Sequence, residues 1–351
     1  MSSNTLHDPR RYGDGQHPLL SMTAAGRPAA LRDALARRAD KEIRAALRAA
    51  PSQAAYAALW NEVCELAHYP AGEHEGALAA RVFALPLVIV AGSRRPLHLA
   101  GVLPDIAAVS ELFAQKGVLG KTQNFGLGNA LCALATLESV TPSEVHAWTV
   151  ALGAARRELP PAPITMDAPG EEVHLRFLVG AGIAPAFEPA FVETASNIGM
   201  WGMALTQLLT KQLAAAGAEV LPMARPPLDL LRAAHAGRSA QLETACNLFA
   251  SNAVRRFRLA SGDPVAIIST HDSAELRLTL SQPFDETMVE GFRWPLHPLD
   301  DLPAIIGSIS ALLADCHVGR VEVAPRVLPD CNTHGQIWFP ALREWPAFGA
   351  H

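Results

Sequence analysis

The sequence predicts an α+β (or mixed α/β) fold: a mainly helical N-terminal half containing a buried strand, then a small C-terminal sheet covered by helices. Three observations lead there. Leu31, Leu35, Ala39, Ile43 and Leu47 recur every fourth position, the spacing of one helix face. Residues 82–90 form a continuous apolar run ending in the β-branched Val88, Ile89 and Val90, which suits a strand buried on both faces. The last third reads strand, strand, helix, strand, the order of a small sheet packed under helices.

Element by element, a polar and flexible leader covers residues 1–20, and the helix carrying Leu31 to Leu47 follows it. A second helical pattern at 53–68 stops before Pro70 and Gly72, neither of which continues a helix easily. The buried strand starts after Pro86 and closes at Ala91-Gly92-Ser93. Helices are expected at 106–115, at 129–137 and after Thr141-Pro142-Ser143-Glu144, where a hydroxyl cap, a first-turn proline and an early acid coincide. Leu159-Pro160-Pro161-Ala162-Pro163 reads as a stiff connector, which places a domain boundary there. The expected organisation is therefore a leader at 1–20, a mainly helical domain at 21–158 and an α/β domain at 164–351. Beyond the connector come a strand at 173–179, a long helix at 191–212 with Trp201, Leu205 and Leu209 on its stripe, and a strand at 218–223. A helix at 239–254 carries Leu242, Cys246 and Phe249 on one face; strands at 265–270 and 275–280, a helix at 302–313 and a strand at 320–327 complete the chain.

Composition excludes several classes. A chain of 351 residues, 50% hydrophobic and 18% charged, buries a sizeable core and is neither disordered nor fibrous. A net charge of -5 argues against a dedicated nucleic-acid binder, which needs a cationic surface to release phosphate counterions. The first residues carry Asp8, Arg10, Arg11 and Asp14 with no apolar run, so no secretion signal is expected and the expected location is cytoplasmic. The uncharged stretches near 122–137 and 194–210 contain Asn, Gln, Thr and glycine and fall short of the roughly 20 apolar residues of a membrane span. Five irregularly spaced cysteines do not describe a disulfide framework and are expected as reduced thiols. Richness in alanine, arginine and leucine, with lysine only at 41, 116, 121 and 211, suggests a bacterial source.

Several constellations carry potential chemistry. Gly117, Gly120, Lys121 and Thr122 superficially match a phosphate loop, but Gln115 stands where its first glycine belongs and Gly117 reads better as a helix C-cap. The weaker candidate is an anion-holding loop of Lys121, Thr122, Asn124, Gly126, Gly128 and Asn129, whose exposed amides would lead into a helix N-terminus; a plain glycine turn is the alternative. Cys64 and His68 share a helix face, with Glu73, His74 and Glu75 downstream, but lack a second paired ligand set. Cys316, His317, Cys331 and His334 form a denser candidate metal cluster, against which stands a helix that simply ends near Cys316. His271, Asp272 and Ser273 hold the residue types of a hydrolase triad, yet three consecutive side chains cannot assemble one, so they read as a hairpin turn. Arg255, Arg256 and Arg258 around Phe257 offer a grip for phosphate or RNA but read better as charges complementing the C-terminus of the 239–254 helix, and Arg32, Arg37, Arg38, Lys41, Arg44 and Arg48 read as a solvated face, with an acidic partner as the alternative. Met200, Trp201 and Met203, between and beside Gly199 and Gly202, have the composition of a cofactor-pocket lining, against which stands a helix whose glycines permit close packing of a neighbour while Met and Trp fill the space around it.

With no catalytic signature, the function expected is that of a bacterial cytoplasmic protein-binding accessory, scaffold or assembly factor without catalytic activity. No cofactor, metal, nucleic acid or membrane span is expected; a protein partner or self-association is expected, the stripe of the first helix being offered to a second copy or another protein, against which stands a helix that simply covers its own domain. The alternative is an enzyme or ligand-binding protein using the glycine-rich loop or the Cys316 to His334 cluster.

Overall fold

The computed structural model describes residues 8–68, 78–93, 97–99, 101–150, 164–166, 170–185, 197–213, 219–260, 262–271, 274–282 and 285–323. The fold is α+β, as the patterns predict, and divides into two units: Gly13–Gln241, and Leu242–His351 together with Met1–Tyr12. The proline stretch at 159–163 lies outside the described residues. The chain does not divide there, because the strands on either side of it pair with each other over their whole length.

The larger unit begins with α1 (Pro18–Ser21), α2 (Arg27–Ala36), α3 (Asp40–Arg48) and α4 (Gln53–His68). The single helix expected across 31–47 is two. Arg38 takes φ 56, and Ala39 N–H donates to Ala34 O at 2.8 Å while Arg38 N–H donates to Leu35 O at 3.1 Å, a Schellman ending that closes α2 and turns the chain into α3. The turn puts Leu31 and Leu35 of one helix and Ile43 and Leu47 of the other against Leu59 and Val63 of α4. The stripe expected to face a second copy is thus buried within its own unit. Leader residues are also tied down: Gly13 and Gly15 donate to Ala50 O and Ala49 O at 2.8 Å each, and Leu19 is buried in the same cluster, so the expectation of a flexible leader fails from Asp8 onward.

Beside these helices lies an antiparallel sheet of order β3-β5-β1-β6, with β7 also on β1: β1 (Leu78–Ser93), β3 (Gln123–Ala133), β5 (Gly170–Pro185), β6 (Glu219–Ala224) and β7 (Leu228–Asp229). A two-stranded ladder joins β2 (Leu97–Leu99) to β4 (Ile164–Met166). Because side chains alternate along a strand, Phe83, Leu85, Leu87 and Ile89 of β1 enter one cluster. There they meet Val109 and Phe113 of α5 (Ile106–Lys116) and Trp201, Leu205 and Leu209 of α8 (Ile198–Leu213). Val82, Ala84 and Val88 enter the other cluster, with Cys64 of α4, Leu137 of α6 (Leu134–Glu138), Val145 of α7 (Pro142–Val150) and Leu230 of α9 (Leu230–Ala260). Burial on both faces is why residues 82–90 read as an unbroken apolar run. The strand nonetheless passes through Pro86 rather than starting after it. Pro86 O accepts from Arg225 N–H at 2.9 Å, so its ring nitrogen faces the interval between β6 and β7, where no ladder donor is needed. At Gly180 of β5, an added Cβ would lie 2.5 Å from Phe83 Cζ and 2.8 Å from Gly126 O, so only glycine fits.

The smaller unit is a four-stranded sheet of order β10-β9-β8-β11: β8 (Val265–His271), β9 (Glu275–Gln282), β10 (Asp285–Pro295) and β11 (Arg320–Val323), the last parallel to β8. Its apolar face, Ile268, Leu276, Leu278 and Trp294 among others, packs on Cys246, Phe257 and neighbours of α9 and on Ile309 and Leu313 of α10 (Leu302–Asp315). The N-terminal segment belongs here as well, since Arg10 Nη1 donates to His297 O at 2.8 Å and to Asp300 O at 2.7 Å. Helix α9 extends the expected 239–254 at both ends, and the division between units falls within it.

Candidate functional site

The glycine-rich segment is not a loop before a helix. Gln123–Ala133 is strand β3, and α6 starts only at Leu134, so the helix expected at 129–137 is present only in its second half and its N-terminus lies beyond Asn129 rather than at the glycine-rich segment. Asn124 takes φ 45, and the register against β5 shifts twice, between Gln123 and Gly126 and between Leu127 and Leu131. Gly126, Gly128 and Asn129 therefore build an irregular strand; a Cβ on Gly128 would lie 3.4 Å from Val179 O. Thr122 N–H donates to Leu119 O, which leaves that amide occupied, and Lys121 lies within the turn that leads into the strand. Gly117 does cap α5, with φ 61.

Of the second cluster, Cys331 and His334 lie outside the described residues. Cys316 and His317 end α10: His317 takes φ 57, its N–H donates to Ala314 O at 2.8 Å, and Val318 N–H donates to Leu313 O at 2.9 Å. Arg258 Nη2 donates to Cys316 O at 2.9 Å and His317 O at 3.0 Å, so this arginine serves the C-terminus of α10, not that of its own helix. Arg256 instead pairs with Glu290 of β10.

At the end of α4, His68 Nδ1 bonds Cys64 O at 2.8 Å, and both residues are buried; Glu73, His74 and Glu75 lie outside the described residues. Burial lowers the His68 pKa against the opposing pull of Asp229, and burial pushes the Cys64 thiol up to about 12. Arg232 bridges Asp229 and Glu65 at 3.1 and 3.5 Å, so this is a structural ion-pair cluster. Cys246 is buried on the apolar face expected for it, its thiol also raised by burial to about 12. Such thiols are poor nucleophiles. Among the described residues, no group of three His, Cys, Asp or Glu is placed to hold a metal.

His271 closes the β8–β9 hairpin as expected, with Ala274 at φ 56; Asp272 and Ser273 lie outside the described residues. The side of this sheet opposite its apolar face is polar, a feature sequence reasoning missed. Register sets Ser269, Arg277 and Arg293 in one row and His271 and Glu275 in the next. Glu275 Oε1 accepts from Arg277 Nε at 2.6 Å and lies 3.8 Å from His271 Nδ1. The signal was present in Glu275-Leu276-Arg277-Leu278-Thr279-Leu280, a strict alternation. Arg277 is only 1% exposed and Ser269 and Thr279 are as fully buried, whereas Arg293 and His271 are half-buried at the ends of the rows. Glu275 and Arg277 form a buried ion pair.

What the described surface offers is of two kinds. On α8, Trp201 is fully buried, whereas Met200 and Met203 are each 72% exposed, and added atoms at Gly199 would meet nothing. On α2 and α3, the apolar residues point inward and the cations outward. No helix of the described residues is long and apolar enough to cross a membrane. No family model, curated protein or solved structure matches the chain.

Proposed function

We propose that the chain is a non-catalytic accessory or assembly factor of the bacterial cytoplasm that works by binding other proteins. The observation that carries this reading is the outward row of α8. Two methionines one helical turn apart stand almost fully in solvent on a helix whose other side anchors the core through Trp201, Leu205 and Leu209. Methionine is flexible and polarisable and adapts to partner surfaces of differing shape, and a rigidly anchored helix presents it without a loss of order on binding.

The test places a photo-cross-linking residue at position 203 in living cells. Discrete adducts with another polypeptide are expected, and Met200→Glu should abolish them while the protein stays folded. Absence of any adduct, or adducts indifferent to Met200→Glu, would refute the reading.

A further inference from the structure

The outward face of α3 is cationic in a chain whose net charge is -5. Lys41, Arg44 and Arg48 are exposed at the i, i+3 and i+7 positions, a row about 10 Å long. Arg37 and Arg38 stand at the corner where α2 gives way to α3. The nearby carboxylates are engaged by Arg37 and by the start of α7. Asp33 and Glu42 both pair with Arg37, at 2.8 and 3.7 Å, and Asp40 Oδ1 accepts from Ser143 N–H at 3.0 Å. Among the described residues, Arg38, Lys41 and Arg44 have no carboxylate within ion-pair distance, and Arg44 Nε donates to Asp40 O. Arg38 also occupies the left-handed corner, φ 56, where glycine would rest without strain, so a cation stands there at a conformational cost.

We infer that this face docks an acidic segment of a partner protein, a run rich in Asp and Glu. The inference rests on the protein-binding reading and names its partner's chemistry. Charge complementarity selects an anion; other features of the face select which one. Neither α2 nor α3 contains an aromatic residue on which a base could stack, and the negative net charge opposes a polyphosphate backbone. The apolar residues Leu31, Leu35, Ile43 and Leu47 are buried, so nothing on the face can enter a lipid surface. An extended acidic peptide, by contrast, presents carboxylates along its length to a straight row of guanidinium and ammonium groups.

The test measures binding of a fluorescent Asp- and Glu-rich peptide by anisotropy at low and physiological ionic strength. The wild type should bind, more weakly as salt rises, and Arg44→Glu should lose about tenfold or more in affinity. Arg255→Glu, which reverses an exposed cation in the other unit with the same change in net charge, should lose little. Circular dichroism and melting temperature of both variants should match the wild type, since both positions are exposed. Equal losses in the two variants, no peptide binding, or tighter binding of duplex DNA or phosphatidylserine vesicles would overturn the inference, as would a dimer that Arg44→Glu dissociates. Cross-linking at position 203 that survives Arg44→Glu, with no peptide binding, would leave the broader reading standing and this one refuted.

Discussion

The two sheets solve burial differently. The larger unit covers both faces of its sheet with apolar helices, so every position of β1 from Val82 to Ile89 is apolar and both side-chain registers point into a core. The smaller sheet commits one register to its core and fills the other with Glu275, Arg277, Ser269 and Thr279, buried but polar. A buried apolar face loses stability in proportion to the atoms removed; a buried ion pair is neutral to replace as a unit and costly to break. The difference gives each sheet its own failure mode.

The largest effect is expected from breaking the pair in the smaller unit. Glu275→Leu leaves the Arg277 guanidinium buried beside an apolar side chain and should cost about 3–5 kcal/mol in urea denaturation. The double replacement Glu275→Leu with Arg277→Leu should recover most of that loss. If the double variant is as unstable as the single one, the polar row is needed for more than its internal pairing.

Acid should probe the larger sheet. Burial, then Arg176, lowers His174 to about 4, and burial also lowers His68. A histidine held neutral in the fold and free to protonate when unfolded contributes its full stability above the unfolded value near 6.5. That contribution is lost as pH falls from about 6.5 through 4, a difference on the order of 3 kcal/mol for His174. His174→Gln should flatten the acid limb of the pH-stability curve; an unchanged limb would place the sensitivity elsewhere.

Tight packing in the same sheet predicts an effect of about 2 kcal/mol for Gly180→Ala, whose Cβ would meet Phe83 and the Gly126 carbonyl. Ile267→Ala, at a half-exposed position of β8, should distort its sheet in no such way, because it removes atoms and adds none.

How far the sequence anticipated this fold follows from what each pattern encodes. The strand after Pro86 and the strand at 173–179 were legible because burial leaves apolar and β-branched residues, though the first extends back through Pro86, and the helix at 142–150 because Thr141 and Glu144 form a reciprocal cap, Glu144 Oε2 accepting from Thr141 N–H at 2.9 Å. What local pattern cannot encode is which strand pairs with which. The long β1–β5 ladder joins segments on either side of the proline stretch, so a boundary drawn from local composition fell within a single unit. Strand β3 was read as turn and helix because a strand with two register shifts against β5 and only a short bridge, Val102 to Ala130, on its other side tolerates Asn124, Gly126 and Gly128, residues that elsewhere mark turns. Of the candidate ligands, Glu73, His74, Glu75, Cys331 and His334 lie outside the described residues; the polar row of β9 was missed because alternation announces a face without saying whether the second face is buried.

The smallest expected effect compares the units through their helix ends. Both contain a Schellman ending whose left-handed residue is not glycine: Arg38 after α2 in the larger unit and His317 after α10 in the smaller. An L-residue there crowds its Cβ against its own carbonyl, and glycine does not, though glycine also gains entropy in the unfolded chain that offsets part of the relief. Arg38→Gly should therefore stabilise by about 1 kcal/mol, and Arg38→Ala, which removes the charge but keeps the Cβ, by close to nothing. His317→Gly should gain less than Arg38→Gly, because Arg258 already ties down the carbonyls of Cys316 and His317 and holds that turn closed whatever residue occupies it. Equal gains at both sites would mean that the arginine contributes nothing to the turn; a gain for Arg38→Ala matching that for Arg38→Gly would move the cost from the backbone to the crowding of cations at the corner with Arg37 and Lys41.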